Sequence, residues 1–452
     1  MKEVLRGAEE SDRKMYIAAD IGSSFVKLAL IDDSIITATE KRRTARIDTG
    51  KPWEYEYDAD GAVSFIREYT DRAVGNGIKI DGILLSTQMH GFILARGERY
   101  TDYISWQDER SLVPCGDGRS TIDLLRERLP AGMLARGGVR LKCELSVCGA
   151  AAFFRQCGDD PGEYRFYTLG SYIISRLTGK NITHITNAAP TGMYDIFSKC
   201  WNSGLISLAG LSGMSLPEVT DGMPVCGYYN GIPVYPDIGD HQATVLGSGI
   251  EEGVLSINAG TASQMSMICG AASAPGEKSE IRPFFGGKYI RVVSKLPGGR
   301  SLQVIADFFA DTVQSFTGSR PVCADIWRHL DSASPSEATD LEVSLGFYRS
   351  LLFPGGGITG ITPSNLTPEN IIRAAYTDMA RSFLRVLPEF GDTPAERIAV
   401  SGKFAPVLIA VLKRISPEKR EYIPVPECEA VFRGLKRLLP RDTSAAAMLR
   451  TV

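Results

Sequence analysis

The stretch Met15 to Asp32, MYIAADIGSSFVKLALID, has a counterpart in the other half of the chain, Gly253 to Met267, GVLSINAGTASQMSM. Each reads as an extended apolar segment, a turn of glycine and hydroxyl residues, and a second extended segment, which is the signature of a β-hairpin. In the first, Val26, Leu28 and Leu30 share one face of the strand. In the second, the turn carries Asn258, Gly260, Thr261 and Ser263. One recurrence in two halves of a chain argues for a duplicated domain and against a solenoid. The fold class that follows is α/β, with two domains that face each other, each offering a turn able to approach a phosphate.

The first turn sets a chemical condition. Gly22, Ser23 and Ser24 lack bulk, so backbone N–H groups and hydroxyls can approach an anion closely. Asp20 repels a bare phosphate unless Mg²⁺ lies between them, through water because Mg²⁺ gives up its hydration shell reluctantly. An ordinary polar hairpin turn is the competing reading.

Working outward, apolar residues at helical spacing (Val63, Ile66, Tyr69 or Thr70, Ala73) predict a helix from Asp60 to Val74. A buried strand, Ile80 to Ser86, then ends in Thr87-Gln88-Met89-His90-Gly91, at the strand end where α/β sheets place ligand contacts. Trp106, flanked by Gln107, Asp108 and Arg110, offers the apolar ring face and hydrogen-bonding groups that a sugar needs. A helix from Tyr167 to Gly179 precedes the polar loop Thr186 to Asp195, whose Asn187 either faces the cleft or forms a turn. In Val234 to Gly249, VYPDIGDHQATVLGSG, Asp240 stands at a glycine-hinged bend between strand and helix. There it is a candidate general base, or the cap of a helix starting near His241. The stretch from Asp240 to Gly253 reads as a hinge between the domains.

In the second half, Leu302 to Phe309 and Ile371 to Leu387 read as helices, and the Gly- and Pro-rich loop from Phe353 to Asn370 as a moving part. The strand Ile398 to Val400, Ser401-Gly402 and the helix Pro406 to Ile415 can form the wall of a nucleotide pocket.

Composition narrows the classes. The 452 residues are 44% hydrophobic and 23% charged, with a net charge of −3, which gives no sign of a nucleic-acid or membrane-surface partner. No apolar run approaches the roughly 20 residues of a membrane span. Residues 1–14 are charged, read as a leader or short helix without the features of a secretory signal, and point to a cytoplasmic protein. Nine scattered cysteines without a CxxC pair fit reduced thiols, and the four dispersed histidines predict no zinc site.

Seven motifs occur in order: DIGSSFVK at Asp20, QMHG at Gln88, WQDER at Trp106, LTG at Leu177, TNA at Thr186, GDHQA at Gly239 and INAGTAS at Ile257. With them the chain resembles the FGGY family of carbohydrate kinases from about Met15 to about Leu439, and GITGITPSNLTPENIIRAAY from Gly357 resembles the family's C-terminal signature. The resemblance implies two ribonuclease H-like domains of the actin, hexokinase and Hsp70 ATPase type around a central cleft. Residues 15–245 would hold the sugar and, at their end, the base; residues 246–452 would hold the nucleotide.

The implied cofactors are ATP and Mg²⁺. Asp20, through water, and Asp240 would lie at the metal. Gly22, Ser23, Ser24, Lys27, Gly260, Thr261 and Gly402 would contact the nucleotide, with Thr261 near the γ-phosphate. Gln88, Met89, His90, Trp106, Asp108, Arg110, Asn187 and Asp240 would surround the sugar. QMHG with WQDER looks most like the sedoheptulokinase and xylulokinase branches, because glycerol kinases carry Arg-Glu in place of Met89-His90. The implied reaction is transfer of the γ-phosphoryl group of ATP to a terminal hydroxyl of a ketose, by a protein free to form a homodimer. Two departures motivate an alternative, a sugar-binding or regulatory protein with impaired catalysis. Ser401-Gly402-Lys403-Phe404 has one glycine where the family has a pair, and Phe432 and Arg433 replace small residues in the last helix.

Overall fold

The computed structural model describes residues 14–32, 36–130, 132–332, 336–348, 355–391, 396–416, 418–425 and 429–439. Residues 1–13 of the expected leader, Phe353 and Pro354 of the glycine-rich loop, and Cys428 lie outside these. The chain forms two compact units: Met1–Gly249 with Arg282–Gly286 and Glu429–Val452, and Ile250–Ile281 with Gly287–Cys428.

In the first unit, β1 (Tyr16–Ile21), β2 (Phe25–Ile31) and β3 (Ile36–Arg43) form an antiparallel meander. Helix α1 (Ala59–Gly75), capped by the Asp58 side chain, leads to β4 (Gly82–Thr87), which runs parallel to β1. Helix α2 (Leu169–Thr178) starts at Thr168, whose hydroxyl accepts the Ser171 N–H, and stops at Gly179 with φ +80°. The chain then enters β5 (Gly227–Tyr229) and β6 (Ile232–Gly239), the latter parallel to β4, to give the sheet order β5-β6-β4-β1-β2-β3. Helix α3 (Asp240–Gly247) follows directly.

Side-chain alternation sorts this sheet into two apolar faces. Ile17, Ala19, Ile21, Val26, Leu28 and Leu30 pack with Val63, Ile66, Tyr69 and Ala73 of α1, as the shared face of Val26, Leu28 and Leu30 predicts. Tyr16, Ala18, Ala29 and Ile31 point the other way. The polar stretch expected as a loop from Thr186 instead forms a short helix, Ile185–Ala188, because the His184 side chain caps it by accepting the Thr186 N–H.

In the second unit, β7 (Leu255–Ala259), β8 (Ser263–Cys269), the edge strand β9 (Glu280–Pro283), of which only Glu280 and Ile281 count with this unit, and β10 (Tyr289–Leu296) are followed by helices α4 (Gly299–Thr317), α5 (Cys323–Ser332) and α6 (Pro368–Val386). Strand β11 (Arg397–Ser401), helix α7 (Ala405–Ile415) and strand β12 (Glu421–Pro424) complete it. The sheet order is β9-β10-β8-β7-β11-β12, with β7 antiparallel to β8 and parallel to β11. An antiparallel meander followed by parallel strands is therefore the plan of both sheets, the structural form of the recurring hairpin. Part of the expected moving loop is ordered as a strand, Gly356–Thr359, paired with Glu342–Leu345.

Helix α8 (Ala430–Arg437), the last among the described residues, belongs to the first unit, so a single division at residues 245 and 246 does not describe the two bodies. Two glycines explain why. A Cβ on Gly434 would lie 2.0 Å from the Ala243 oxygen, and one on Gly247 would lie 1.7 Å from the Ala430 oxygen, so α8 and α3 cross backbone to backbone. Phe432 and Leu435 then fill the layer with Tyr16, Ala18, Ile31, Leu84 and Ile238. Phe432, expected to disturb a nucleotide pocket, is a core residue of the first unit. Gly434→Ala is expected to destabilise that unit by about 1–3 kcal/mol, since the neighbour that must give way is main chain. An unchanged urea midpoint would show that the helices can separate without loss.

Candidate active site

Strand register builds the site. Ile21 and Gly239 both pair with Thr87, so β1, β4 and β6 end level with one another. The next residues are the Gly22 turn, Gln88-Met89-His90 and Asp240.

Asp240 is the first residue of α3, and the N-cap position belongs to Gly239, which has no side chain to cap with. The cap reading of Asp240 therefore gives way, although its Oδ1 accepts the His241 N–H at 2.7 Å. Burial, then the negative charge of Asp20, push the half-buried Asp240 carboxyl up to about 6, against the opposing pull of the His241 N–H and Arg282. Asp20 is raised by burial, against Lys27, whose Nζ is 3.4 Å away, with Glu429 adding to the rise. The site is thus a pair of mutually repelling carboxylates with Lys27 and Arg282 as counter-charges. Arg282 and Glu429 come from distant segments and were not legible as site residues in the sequence.

Gln88 is buried, and neither its Oε1 nor its Nε2 has a partner among the described residues. Met89 packs its sulfur at Gly239, 2.7 Å from where a Cβ would sit. His90 adopts φ +71°, with Nδ1 2.8 Å from the Pro190 oxygen, while its carbonyl accepts the Ser146 hydroxyl at 2.6 Å. The glycine of this motif has a steric role. A Cβ on Gly91 would fall 2.2 Å from the phenol oxygen of buried Tyr103, a tyrosine that burial and the Asp240 charge hold above its usual range.

Three residues expected around a sugar are anchored in the protein instead. Asp108 accepts from the Tyr55 N–H at 2.9 Å, the Arg110 N–H at 3.0 Å, and Arg110 Nε and Nη2 at 2.7 and 3.0 Å. Arg110 also reaches Glu56 at 2.5 Å, and both Asp108 and Arg110 are buried. A bidentate pair of this kind fixes the loop that carries half-buried Trp106 and leaves little capacity for a ligand. Asn187 is also buried, donating to Asp237 Oδ2 at 2.8 Å and Thr87 Oγ1 at 3.1 Å. It joins β4 to β6 below the site.

Asp237, which the sequence reading passed over, is the hub of that anchor. It accepts from Asn187, the Thr183 hydroxyl at 3.1 Å, the Thr168 hydroxyl at 3.3 Å and the His184 N–H at 2.8 Å. Burial pushes it up to about 7 despite the donors that pull the other way. The Thr186 hydroxyl accepts the Gly239 N–H at 3.0 Å. The end of β6, and with it Asp240, is held from beneath. A carboxylate three residues before the base, with threonines and an asparagine upstream, was the available signal.

The second unit brings Gly260, Thr261 and Gly402 together. Asn258 pairs with Ser401, and Gly402, at φ +101°, has no room for a Cβ, which would lie 2.4 Å from the Ala259 oxygen. The carbonyls of Gly260 and Thr261 accept the Gly299 and Arg300 N–H groups at the start of α4, each at 2.9 Å. The Ser263 hydroxyl is buried without a partner among the described residues. Phe404 turns into the core, where its ring meets the place a Cβ on Gly299 would take, at 2.7 Å. Gly22, Ser23 and Ser24 form the separate turn of the first unit, and Lys27, on β2 just beyond it, is paired with Asp20. Among the described residues no three His, Cys, Asp or Glu side chains are grouped for a metal, and no helix is long and apolar enough to cross a membrane.

Residues 158–269 match the N-terminal domain of the FGGY family of carbohydrate kinases. An uncharacterized sugar kinase of Archaeoglobus fulgidus is 26% identical over 275 residues, 54% of this chain and 54% of that protein. A glycerol kinase of Alkalilimnicola ehrlichii is 30% identical over 221 residues, 45% of this chain and 42% of that one. The chain spans about half the length of these curated relatives. The ligand-bound xylulose kinase of Lactobacillus acidophilus matches with a TM-score of 0.79 at 16% identity, over 96% of this chain and 92% of the other. The paired sheets and this likeness show an α/β fold of two ribonuclease H-like units. The match over residues 158–269, a quarter of the chain, agrees with the resemblance to the FGGY family of carbohydrate kinases.

Proposed function

We propose that the protein is an ATP-dependent sugar kinase that transfers the γ-phosphoryl group to a terminal hydroxyl of a ketose of the xylulose or sedoheptulose type. The observation that carries this reading is Asp240, tuned to about 6, at a strand end level with the open amide of Gln88. Near neutral pH Asp240 is ionised and accepts the hydroxyl proton, a contribution of about 10²- to 10⁴-fold. Gln88 offers a donor and an acceptor to sugar hydroxyls, and Trp106 an apolar face. Met89-His90, in place of the Arg-Glu of glycerol kinases, supports a ketose over a small polyol.

The chain fits the implied cofactors. Gly402, where a side chain would collide with Ala259, the Ser263 hydroxyl, without a partner among the described residues, and the Gly260–Thr261 turn would hold the phosphates of ATP. Asp20 and Asp240 repel each other, which a divalent cation relieves, and Asp20 would hold Mg²⁺ through water. When bound, Mg²⁺ neutralises charge on the transferring phosphoryl group.

The test is ADP release with Mg²⁺-ATP over a panel of ketoses, polyols and aldoses. A pentulose or heptulose that alone stimulates release is expected. Stimulation by glycerol instead would overturn the ketose assignment. Sugar binding without nucleotide binding would favour the regulatory alternative and make Lys403 the first residue to revert.

A further inference from the structure

A cavity of about 560 Å³ opens on the first unit, and none of its lining residues belongs to the candidate active site. Its walls come from three short segments. The turn Leu134–Gly137 meets the hairpin of Tyr194–Asp195 and Cys200–Trp201 closely: a Cβ on Gly137 would lie 3.0 Å from the Tyr194 oxygen, and the Ile196 N–H donates to the Arg136 oxygen at 2.9 Å. Asn202 and Ser203 close the third side. The volume falls within the roughly 300–1,000 Å³ of small-molecule sites.

The two sides of the cavity differ in chemistry. One is apolar and stiff: Met133 lines it, and Trp201 is fixed by donating its indole N–H to the Pro217 oxygen at 2.9 Å and by an edge-on contact with Tyr194, 5.4 Å between ring centres. The other side holds Arg136 and Asp195. Asp195 is already filled. Its Oδ1 accepts the Phe197 and Ser198 N–H groups at 2.9 and 3.0 Å, and its Oδ2 accepts Arg136 Nε at 2.5 Å and the Ser198 hydroxyl at 3.2 Å, which occupies the roughly four acceptor places of a carboxylate. Arg136 is not filled. Beyond Nε it uses Nη2 on the Ser198 hydroxyl at 2.9 Å, Nη1 has no partner among the described residues, and the side chain is 52% exposed. Asn202 accepts the Leu205 N–H with its side-chain oxygen at 3.0 Å, which leaves its amide nitrogen as a second donor. A polyol needs acceptors as well as donors, and Asp195, the one carboxylate of the lining, has none to offer. An anion needs donors alone.

We infer that this cavity is a binding site for a small organic anion, its flat apolar body against Trp201 and its carboxylate or phosphate group on Arg136. Calorimetric titration of the full chain with phenyl phosphate and with phenylacetate tests it. At least one is expected to bind once per chain with a dissociation constant of about 1 mM or tighter, and benzyl alcohol, with the ring and no charge, at least about tenfold more weakly. Arg136→Gln is expected to weaken anion binding at least about tenfold, with an unchanged circular dichroism spectrum. Ser203→Glu serves if that variant does not fold: Ser203 is exposed and begins the helix Ser203–Leu208, where an acidic residue is favourable, and the new charge is expected to repel the anion with a similar loss. A chemical footprint fixes the place. Cys200 lines the cavity and is exposed, and Cys157 is exposed outside it, so bound anion is expected to slow alkylation of Cys200 and leave Cys157 unchanged. Binding of neither anion, equal binding of benzyl alcohol, binding that survives both variants, or Cys200 alkylated at its unliganded rate overturns the inference.

Discussion

Asp240→Asn is expected to lower kcat by about 10²- to 10⁴-fold while sugar binding, read by calorimetry, is retained. Asparagine keeps the volume and an oxygen for the His241 N–H, which Asp240 now binds at 2.7 Å, so the helix start survives and only the proton acceptor is lost. The pH profile carries the same argument. Because burial and Asp20 raise Asp240 to about 6, it is protonated below that pH and unable to act as base. Wild-type kcat/KM should therefore fall as pH drops through about 6 and level off above it. In the variant the residual rate should lose this inflection. Near-wild-type turnover, or an inflection that persists, would remove Asp240 from the mechanism.

Asp237→Ala is expected to destabilise the first unit by at least about 1–3 kcal/mol, the cost of leaving a single buried donor without its acceptor, and more if several of the four stay unsatisfied. Asn187 Nδ2, the His184 N–H and two threonine hydroxyls would lose their common acceptor inside the protein. Against the 5–15 kcal/mol typical of a folded domain, such a loss moves the urea midpoint far. Linkage adds a second readout. Asp237 is raised to about 7 in the folded chain, above an unfolded value of about 3.9. The folded state then binds the extra proton between these values, so the stabilising term is full below the unfolded pKa and is lost as pH rises towards 7. Asp240 contributes with the same sign up to about 6. Asp237→Ala should flatten the fall in stability between about pH 4 and about pH 7. A midpoint and slope like those of the wild type would mean that water or other groups satisfy the four donors.

The sequence by itself determined the elements that rest on near-neighbour patterning. The apolar run Tyr16–Ile21, the shared face of Val26, Leu28 and Leu30, helical spacing over Ala59–Gly75 and the glycine stop after Thr178 are properties of residues a few positions apart, so they survive without tertiary context. The recurrence of the hairpin and the placing of Gln88 and Asp240 after apolar strands were legible for the same reason. Only the tertiary structure decided what those side chains face. Asp108 and Arg110 have the same chemistry whether they bind a sugar or each other, and the fold chose each other. Asn187 went to Asp237, a choice fixed by the register of β4 and β6 and not by its own neighbours. The return of Ala430–Arg437 to the first unit depends on two glycines far apart in the chain, whose missing side chains have meaning only where the helices cross. Hydrogen bonds and close packing are settled by which groups meet across the fold, and that pairing is not encoded in spacing alone.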